Sequence, residues 1–438
     1  MNYVNKLTFL FLISFSASFG QEKLTKENAV SIALENNYGI RIAKNQVKIA
    51  ENNASVLNSG YLPKVTVLAG ANYSTNSTDF TSQSGVESEV NNAESKTYNA
   101  SVGVSYTLFD GLGRAYNYKK LQESYNLSEL EAQAIIENSV LQIFTVYYEV
   151  AQLTENNKNI LESLNISKQR LERATYSFEY GQSTKLQLLN AEVDVNNDSI
   201  RYINTQRLLS NAKRDLNLLL GRAVTTEFVI DTDTSFNLTF KYEDLLDKAN
   251  SHNIEMQKIS KNIELSDFDI KISRSNLYPT LNFNSSYGFN KFDNDATFTF
   301  ADQFSKGLNA GISLNWNVFD GGTTKTRVQN AKIVAENLQV QKEQITNELE
   351  RTIANALETY TNALFILNAE VKNVETNKHN FSRTEEQFKL GQITTIEFRQ
   401  AQVNLLNAQS NLNQATYDAK NAELKLLQLT GELLNTKF

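Results

Sequence analysis

Residues 98–108 read YNASVGVSYTL, and every second residue of this stretch is apolar or aromatic. The even-numbered positions carry Tyr, Ala, Val and Leu, whereas the odd-numbered positions carry only Asn, Ser, Gly and Thr. Because successive side chains of a β-strand point to opposite faces, this alternation predicts a strand with one apolar and one polar face. The rhythm recurs, and the sequence predicts four such strands: 65–74, 98–108, 281–290 and 307–318.

The residues on the polar face of these strands favour a membrane-spanning sheet over a sheet packed on the core of a soluble protein. Alternation over about ten residues is typical of outer-membrane barrel strands. The alternative is a soluble antiparallel sheet, whose wet face usually carries charged residues. In 98–108 and 307–318 that face is almost wholly Asn, Ser and Gly. Four strands cannot close in lipid, and bacterial barrels start at about eight strands, so several chains are expected to share one barrel.

Polar stretches and prolines flank the predicted strands. The segments Ser74 to Thr97 and Lys291 to Ser305 are rich in Ser, Asn, Asp and Glu, and are expected to form solvated loops. The two prolines of the chain, Pro63 and Pro279, each precede a first strand. Proline stops an incoming helix and favours an extended exit, which suits a helix–strand turn.

Long helices are predicted between the strand pairs. After each Phe-Asp-Gly, roughly 65 residues run almost without Gly or Pro, which corresponds to a helix of about 100 Å. A Gly-Gln break at 181–182 and 391–392 then precedes a returning segment with the apolar spacing of a coiled coil. The predicted helical hairpins are 111–221 and 321–430. Shorter helices are predicted at 25–59 and 242–276, interrupted at Asn36-Asn37 and His252-Asn253 respectively.

The chain repeats its own motifs. Phe109-Asp110-Gly111 returns as Phe319-Asp320-Gly321, and Gly181-Gln182 returns as Gly391-Gln392, both shifted by 210 residues (319 − 109; 391 − 181). This shift is too long for a solenoid repeat and predicts two duplicated halves, 21–230 and 231–438.

Composition excludes most catalytic sites. The chain has no Cys and two His, His252 and His379, which stand far apart in the sequence, neither beside a second His. No catalytic, cofactor or metal site is therefore predicted. The net charge of −7 argues against nucleic acid. Residues 1–20 have the positively charged n-region, the apolar h-region and the small residues before the cleavage site of a secretory signal peptide. Cleavage is expected before Gln21.

The whole layout resembles the TolC family of outer-membrane efflux and secretion channels. The duplication, the proline before each first strand, the Phe-Asp-Gly motifs and the Gly-Gln turns carry this resemblance across residues 21–438. It implies an α+β membrane protein in which three chains form one 12-stranded barrel, continued into the periplasm by an antiparallel α-helical tunnel. It also implies outer-membrane lipid around the barrel, a periplasmic membrane-fusion adaptor, and an inner-membrane pump driven by protons or ATP.

The resemblance implies roles for particular residues. Pro63, Pro279, Asp110, Gly111, Asp320 and Gly321 would form the helix–strand turns. An adaptor would dock at the helical tips, around Tyr180, Gly181, Gln182, Ser183, Gly391, Gln392 and Thr394. The pore would narrow at Glu397 and Gln400, although Ile393 stands where the family often has a locking Arg. Phe438 follows a helix and is assigned no role as a barrel-assembly signal.

Three functions are weighed. The first is a passive exit duct without a nucleotide-binding loop of its own. The second is a coiled-coil stalk anchored by a barrel, which predicts apolar seams on every helix and no conductance. The third is a surface hydrolase, which would need convergent catalytic groups that the sequence does not show. The Asn- and Gln-rich helix faces favour the duct.

Overall fold

A computed structural model describes residues 22–236, 239–294 and 301–436. The predicted signal peptide and Phe438 lie outside these ranges. The chain divides into two compact units. Its strands are β1 (Glu22–Leu24), β2 (Lys64–Thr81), β3 (Glu87–Phe109), β4 (Phe228–Ile230), β5 (Thr280–Asn294) and β6 (Asp302–Asn315). Its helices are α1 (Lys26–Asn36), α2 (Tyr38–Asn53), α3 (Gly113–Glu179), α4 (Lys185–Leu219), α5 (Tyr242–His252), α6 (Ile254–Ser275), α7 (Thr323–Lys389) and α8 (Thr395–Leu429), with a short 3-10 helix at Val56–Asn58.

The unit formed by Ile42–Ala134 and Asn250–Leu349 contains one antiparallel sheet in the order β2-β3-β5-β6. The register places Val67, Val102, Tyr287 and Leu308 in one row across the four strands. The neighbouring row of Thr66, Gly103, Ser286 and Asn309 is polar. The apolar and polar residues of the alternating pattern therefore lie on opposite faces of the sheet.

The strand ends differ from the sequence prediction. Most of the stretch Ser74 to Thr97 is strand rather than loop, because β2 and β3 stay paired beyond a bulge until Thr81 meets Glu87. Its Thr, Ser and Asn side chains stay solvated while the ladder satisfies the backbone. β5 likewise reaches Asn294. The loop predicted at 291–305 therefore began too early in the sequence. β6 ends at Asn315 and not at residue 318, because its partner strand begins at Thr280, the last paired position.

The other unit comprises the chain up to Arg41, Ile135–Ala249 and the chain from Glu350 onward. Its core contains Phe144 and Tyr147 of α3, Leu216 of α4, Leu424 of α8 and Phe228 of β4. The parallel pair of β1 and β4 joins this core. The Tyr147 hydroxyl donates to the carbonyl oxygens of Leu24 (3.0 Å) and Asp231 (3.1 Å), at the ends of these strands. Sequence reasoning missed both strands because three residues are too few to show a period.

The short helices break at asparagines that cap their neighbours. The Asn37 side chain accepts from the Ile40 amide (3.0 Å) and donates to the Leu219 carbonyl (2.7 Å), so it serves the start of α2 and the end of α4. Asn253 accepts from the amides of Glu255 and Met256 at the start of α6. Among the described helices, none has a stretch long and apolar enough to cross a membrane.

Candidate functional site

The polar face of the sheet is the first candidate site. On this face, residues 97–107 of β3, 282–290 of β5 and 305–315 of β6 present only uncharged side chains. A groove of about 540 Å³ lies on it, lined among others by Ser105, Asn284, Ser286 and Asn309. Such a surface offers amide and hydroxyl hydrogen bonds to a polar solute.

The two Phe-Asp-Gly motifs lie in the connections between a strand and the long helix that follows it. The Asp110 carboxylate accepts from the Arg114 amide at 2.9 Å. Asp320 accepts from the Thr324 amide at 2.8 Å, so both carboxylates cap a helix start. The hydroxyl and amide of Thr324, with the Gly322 amide, hold the pKa of Asp320 below its ordinary value.

The glycine of each motif has positive φ, +65° at Gly111 and +68° at Gly321. Only Gly111 is also crowded: a Cβ there would lie 2.5 Å from the Ser275 carbonyl oxygen, whereas at Gly321 it would meet nothing within 4 Å. Pro63 and Pro279 immediately precede β2 and β5. The structure thus places all six predicted turn residues at junctions of helix and strand.

The Gly-Gln turns, which we call the helical tips, have matching geometry. At the first tip, the Gly181 and Gln182 amides donate to the carbonyls of Phe178 (3.0 Å) and Ser177 (2.7 Å). At the second tip, the Gly391 and Gln392 amides donate in the same way to Phe388 (3.1 Å) and Gln387 (2.9 Å). Both glycines have positive φ, +71° and +74°, which explains their presence without any ligand.

The tips share one groove of about 490 Å³. Its lining includes Gln182, Ser183, Gly391, Gln392 and Thr394, so the structure brings together five of the residues predicted for docking. Tyr180 and Leu390, the residues before the two glycines, are 78% and 72% exposed. Large exposed side chains beside a polar groove can anchor a protein partner.

Glu397 has a local structural role that sequence reasoning did not assign. Its carboxylate accepts from the amide and the hydroxyl of Thr394, both at 2.8 Å, and its own amide donates to that hydroxyl at 3.3 Å. This is a capping box at the start of α8. The Thr394 hydrogen bonds also lower the pKa of Glu397. The other residue predicted at the constriction, Gln400, is exposed and donates to the Asn404 side chain at 2.8 Å.

A buried set of ionic and polar groups joins α8 to α3 and α4. We call Arg170, Asp194, Asp198 and Arg399 the buried ion cluster. Two nitrogens of Arg399 contact the two oxygens of Asp198 at 2.6 and 2.8 Å. Arg170 pairs with Asp194, which also lies 3.5 Å from Arg399.

Hydrogen bonds complete this cluster. Asp198 is 2% exposed and accepts from the Ser167 hydroxyl at 2.6 Å. Gln402 donates to the same hydroxyl at 3.0 Å. Burial raises the pKa of Asp198, but hydrogen bonds from Arg399 and Ser167 outweigh it and bring the pKa below its ordinary value. The cluster holds the N-terminal part of α8 against two other helices.

The two-faced sheet and the paired helical tips are features of the class of membrane channels. The sequence model of the family "Outer membrane efflux protein" matches residues 29–222 and 245–432. The chain therefore belongs to the outer membrane efflux protein family, which is a family of transport proteins located in the outer membrane.

Named relatives and solved structures agree with this assignment. The outer membrane protein TolC of Vibrio cholerae serotype O1 is 22% identical over 300 residues, covering 67% of this chain and 68% of the relative. The outer membrane efflux protein BepC of Brucella suis is 20% identical over 425 residues, covering 96% and 89%.

Two solved structures show the same fold. The CmeC outer membrane channel of Campylobacter jejuni superimposes with a TM-score of 0.76 at 16% identity, covering 93% of this chain and 86% of that chain. The open state of the MtrE outer membrane channel of Neisseria gonorrhoeae gives 0.70 at 16% identity, covering 93% and 89%.

Proposed function

We propose that this outer membrane efflux protein is the exit duct of a tripartite efflux or type I secretion system. It conducts solutes passively, and an inner-membrane pump driven by protons or ATP supplies the energy. One observation carries the proposal: the sheet has an apolar face, a polar face that is uncharged along residues 97–107, 282–290 and 305–315, and two open edges, at β2 and β6. In lipid, both edges need partners.

Three copies joined edge to edge satisfy this need. Each chain contributes an even number of antiparallel strands, so β6 of one copy runs antiparallel to β2 of the next. Twelve strands form a closed barrel of an allowed size. The polar face then lines the lumen and the apolar face contacts lipid. The twofold match of the family and the matching geometry of the tips support an internal duplication.

The helical tips form the docking surface for a periplasmic adaptor in this proposal. Tyr180, Gly181, Gln182, Ser183, Gly391, Gln392 and Thr394 belong to this surface. The shared groove and the exposed Tyr180 and Leu390 support this role. Glu397 and Gln400 are proposed to lie at the pore constriction, where the Glu397 carboxylate would be held by its cap on Thr394.

Cysteine cross-linking tests the edge pairing, because the chain has no Cys of its own. A chain that carries one Cys in β2 and one in β6 should, on oxidation in the membrane, give dimers and trimers but nothing larger. A matched control, Val102→Cys with Tyr287→Cys, joins two paired positions within one chain and should stay monomeric. The proposal is wrong if no edge pair cross-links while the control pair does.

Conductance separates the duct from the alternative stalk. Purified cross-linked trimers in planar bilayers should give stepwise ionic currents. Trimers that insert without conducting would favour the barrel-anchored stalk.

A further inference from the structure

Two lysines and two phenylalanines form a block on the apolar face of the sheet. Lys291 lies opposite Phe304, and Phe289 lies opposite Lys306, in adjacent same-face pairs of β5 and β6. The rings of Phe289 and Phe304 stack across one diagonal of the block, with centroids 5.9 Å apart. The lysines therefore occupy the other diagonal, where neighbours are about 7–8 Å apart. Two flexible side chains at this spacing can place both ammonium groups on one ligand.

Neither ammonium group is engaged in the structure. Within residues 22–236, 239–294 and 301–436, the ammonium groups of Lys291 and Lys306 form no hydrogen bond or ion pair, whereas the backbones of both residues pair in the strand ladder. Lys96, on the same face of β3, differs because it pairs with Glu94 at 3.7 Å. Asp293 and Asp302 form the next pair on this face, one pleat closer to the hairpin end. The lysine block therefore lies between these carboxylates and the apolar rows.

The position of the block along the strands matches a membrane boundary. On β5, Leu281, Phe283, Tyr287 and Phe289 lie on the same face as Lys291. At ~3.3 Å per residue and a tilt near 40°, the ten residues from Leu281 to Lys291 rise about 25 Å. The apolar band of an outer-membrane barrel has about this height. The lysine stems can thus lie against the apolar face while the ammonium groups reach the headgroups.

We propose that Lys291 and Lys306 bind the phosphate monoester of a lipid headgroup in the outer leaflet, with Phe289 and Phe304 against the apolar part of that lipid. The inference rests on the proposed function, because it needs the sheet to span the membrane. A phosphate monoester carries about −1.5 to −2 charges and three acceptor oxygens, which matches two ammonium groups. A zwitterionic phosphodiester offers less net charge to the same pair.

Native mass spectrometry of the full mature protein in detergent tests this site. The probe is phosphatidic acid, a lipid with a phosphate monoester, compared with phosphatidylcholine. The variant Lys291→Gln with Lys306→Gln should bind phosphatidic acid roughly 25-fold more weakly, since each lysine near a membrane surface contributes about fivefold. Lys64→Gln with Lys389→Gln removes the same charge from positions outside the block and should bind as the wild type does.

Three results would overturn the proposal: equal binding by the Lys291/Lys306 variant, equal binding of phosphatidylcholine, or displacement of phosphatidic acid by an equal concentration of inorganic phosphate. The last result would indicate a site for free anions instead. Conductance of the same samples keeps the two proposals apart. A protein that conducts but fails this lipid test contradicts the inference alone, whereas one that passes it without conducting contradicts the duct.

Discussion

Arg399→Leu removes the guanidinium from the buried ion cluster and leaves a shorter, apolar side chain. Asp198 then loses the two contacts of 2.6 and 2.8 Å that offset its burial. Removing one partner of a buried ion pair typically costs about 3–5 kcal/mol. Arg399 itself is partly accessible, with 18% side-chain exposure, so we expect the lower end of this range.

Hydrogen–deuterium exchange of the intact protein measures this cost locally. A loss of about 3 kcal/mol corresponds to opening about 150-fold more often, so amides of α8 near Arg399 should exchange faster by about that factor. The amides of β3 should be unaffected. The matched control is Lys389→Leu, which removes an exposed ion pair with Glu385 (3.0 Å) and should change exchange by less than about threefold. Equal exchange in Arg399→Leu and wild type would refute a stabilising cluster.

The pH dependence of this effect has a defined sign. The folded-state pKa of Asp198 is lowered, so its stabilising contribution is present above the ordinary pKa and fades as the pH falls through the lower, folded value. In Arg399→Leu, burial acts without the arginine and favours protonation of Asp198. The difference in exchange between variant and wild type should therefore be largest near neutral pH and shrink in acid. A difference that grows below the ordinary pKa would contradict this reasoning.

Three further predictions address the turns, the tips and the constriction. Gly111→Ala should destabilise the protein more than Gly321→Ala, as measured by thermal unfolding followed by circular dichroism. Each substitution strains a positive φ, which costs about 1–2 kcal/mol, but only Gly111→Ala also adds a clash with the Ser275 carbonyl. Equal losses of stability in the two variants would contradict the crowding at Gly111. The double variant Tyr180→Ala with Leu390→Ala should differ from the wild type in stability by less than about 0.5 kcal/mol, because both side chains are exposed. It should nevertheless reduce photo-cross-linking of a periplasmic adaptor from residue 182. Undiminished cross-linking would show that these two side chains are not part of the docking surface. Glu397→Gln should lower the cation preference of reconstituted channels. Thr394→Val, which weakens the helix cap but keeps the carboxylate, should preserve this preference. Unchanged selectivity in Glu397→Gln would place the Glu397 carboxylate outside the pore.

The faces of the sheet could be predicted from the sequence, but the ends of its strands could not. Alternation identifies a face wherever apolar and polar residues take turns, as around Val102. Beyond Tyr73 and before Tyr98, both faces are polar and the period is lost, although the ladder continues to the pairing of Thr81 with Glu87. The pattern of side chains shows which residues face an apolar environment. The length of a strand depends instead on how far its backbone pairs with the next strand.

The buried ion cluster had no sequence signal. Asp198 is 31 residues from Ser167 and 201 residues from Arg399, and only the folded helices bring these groups together. The capping role of Glu397 was visible in advance, since Thr394 and Glu397 have the spacing of a capping box. The family resemblance instead predicted a role for Glu397 in the pore constriction.

The number of chains in the assembly tests the central claim most directly. Native mass spectrometry of the mature protein, extracted from outer membranes in mild detergent, should give a single species of three copies once the detergent has been stripped in the gas phase. A monomer that remains soluble and folded without detergent would contradict the shared barrel, and with it the proposed duct.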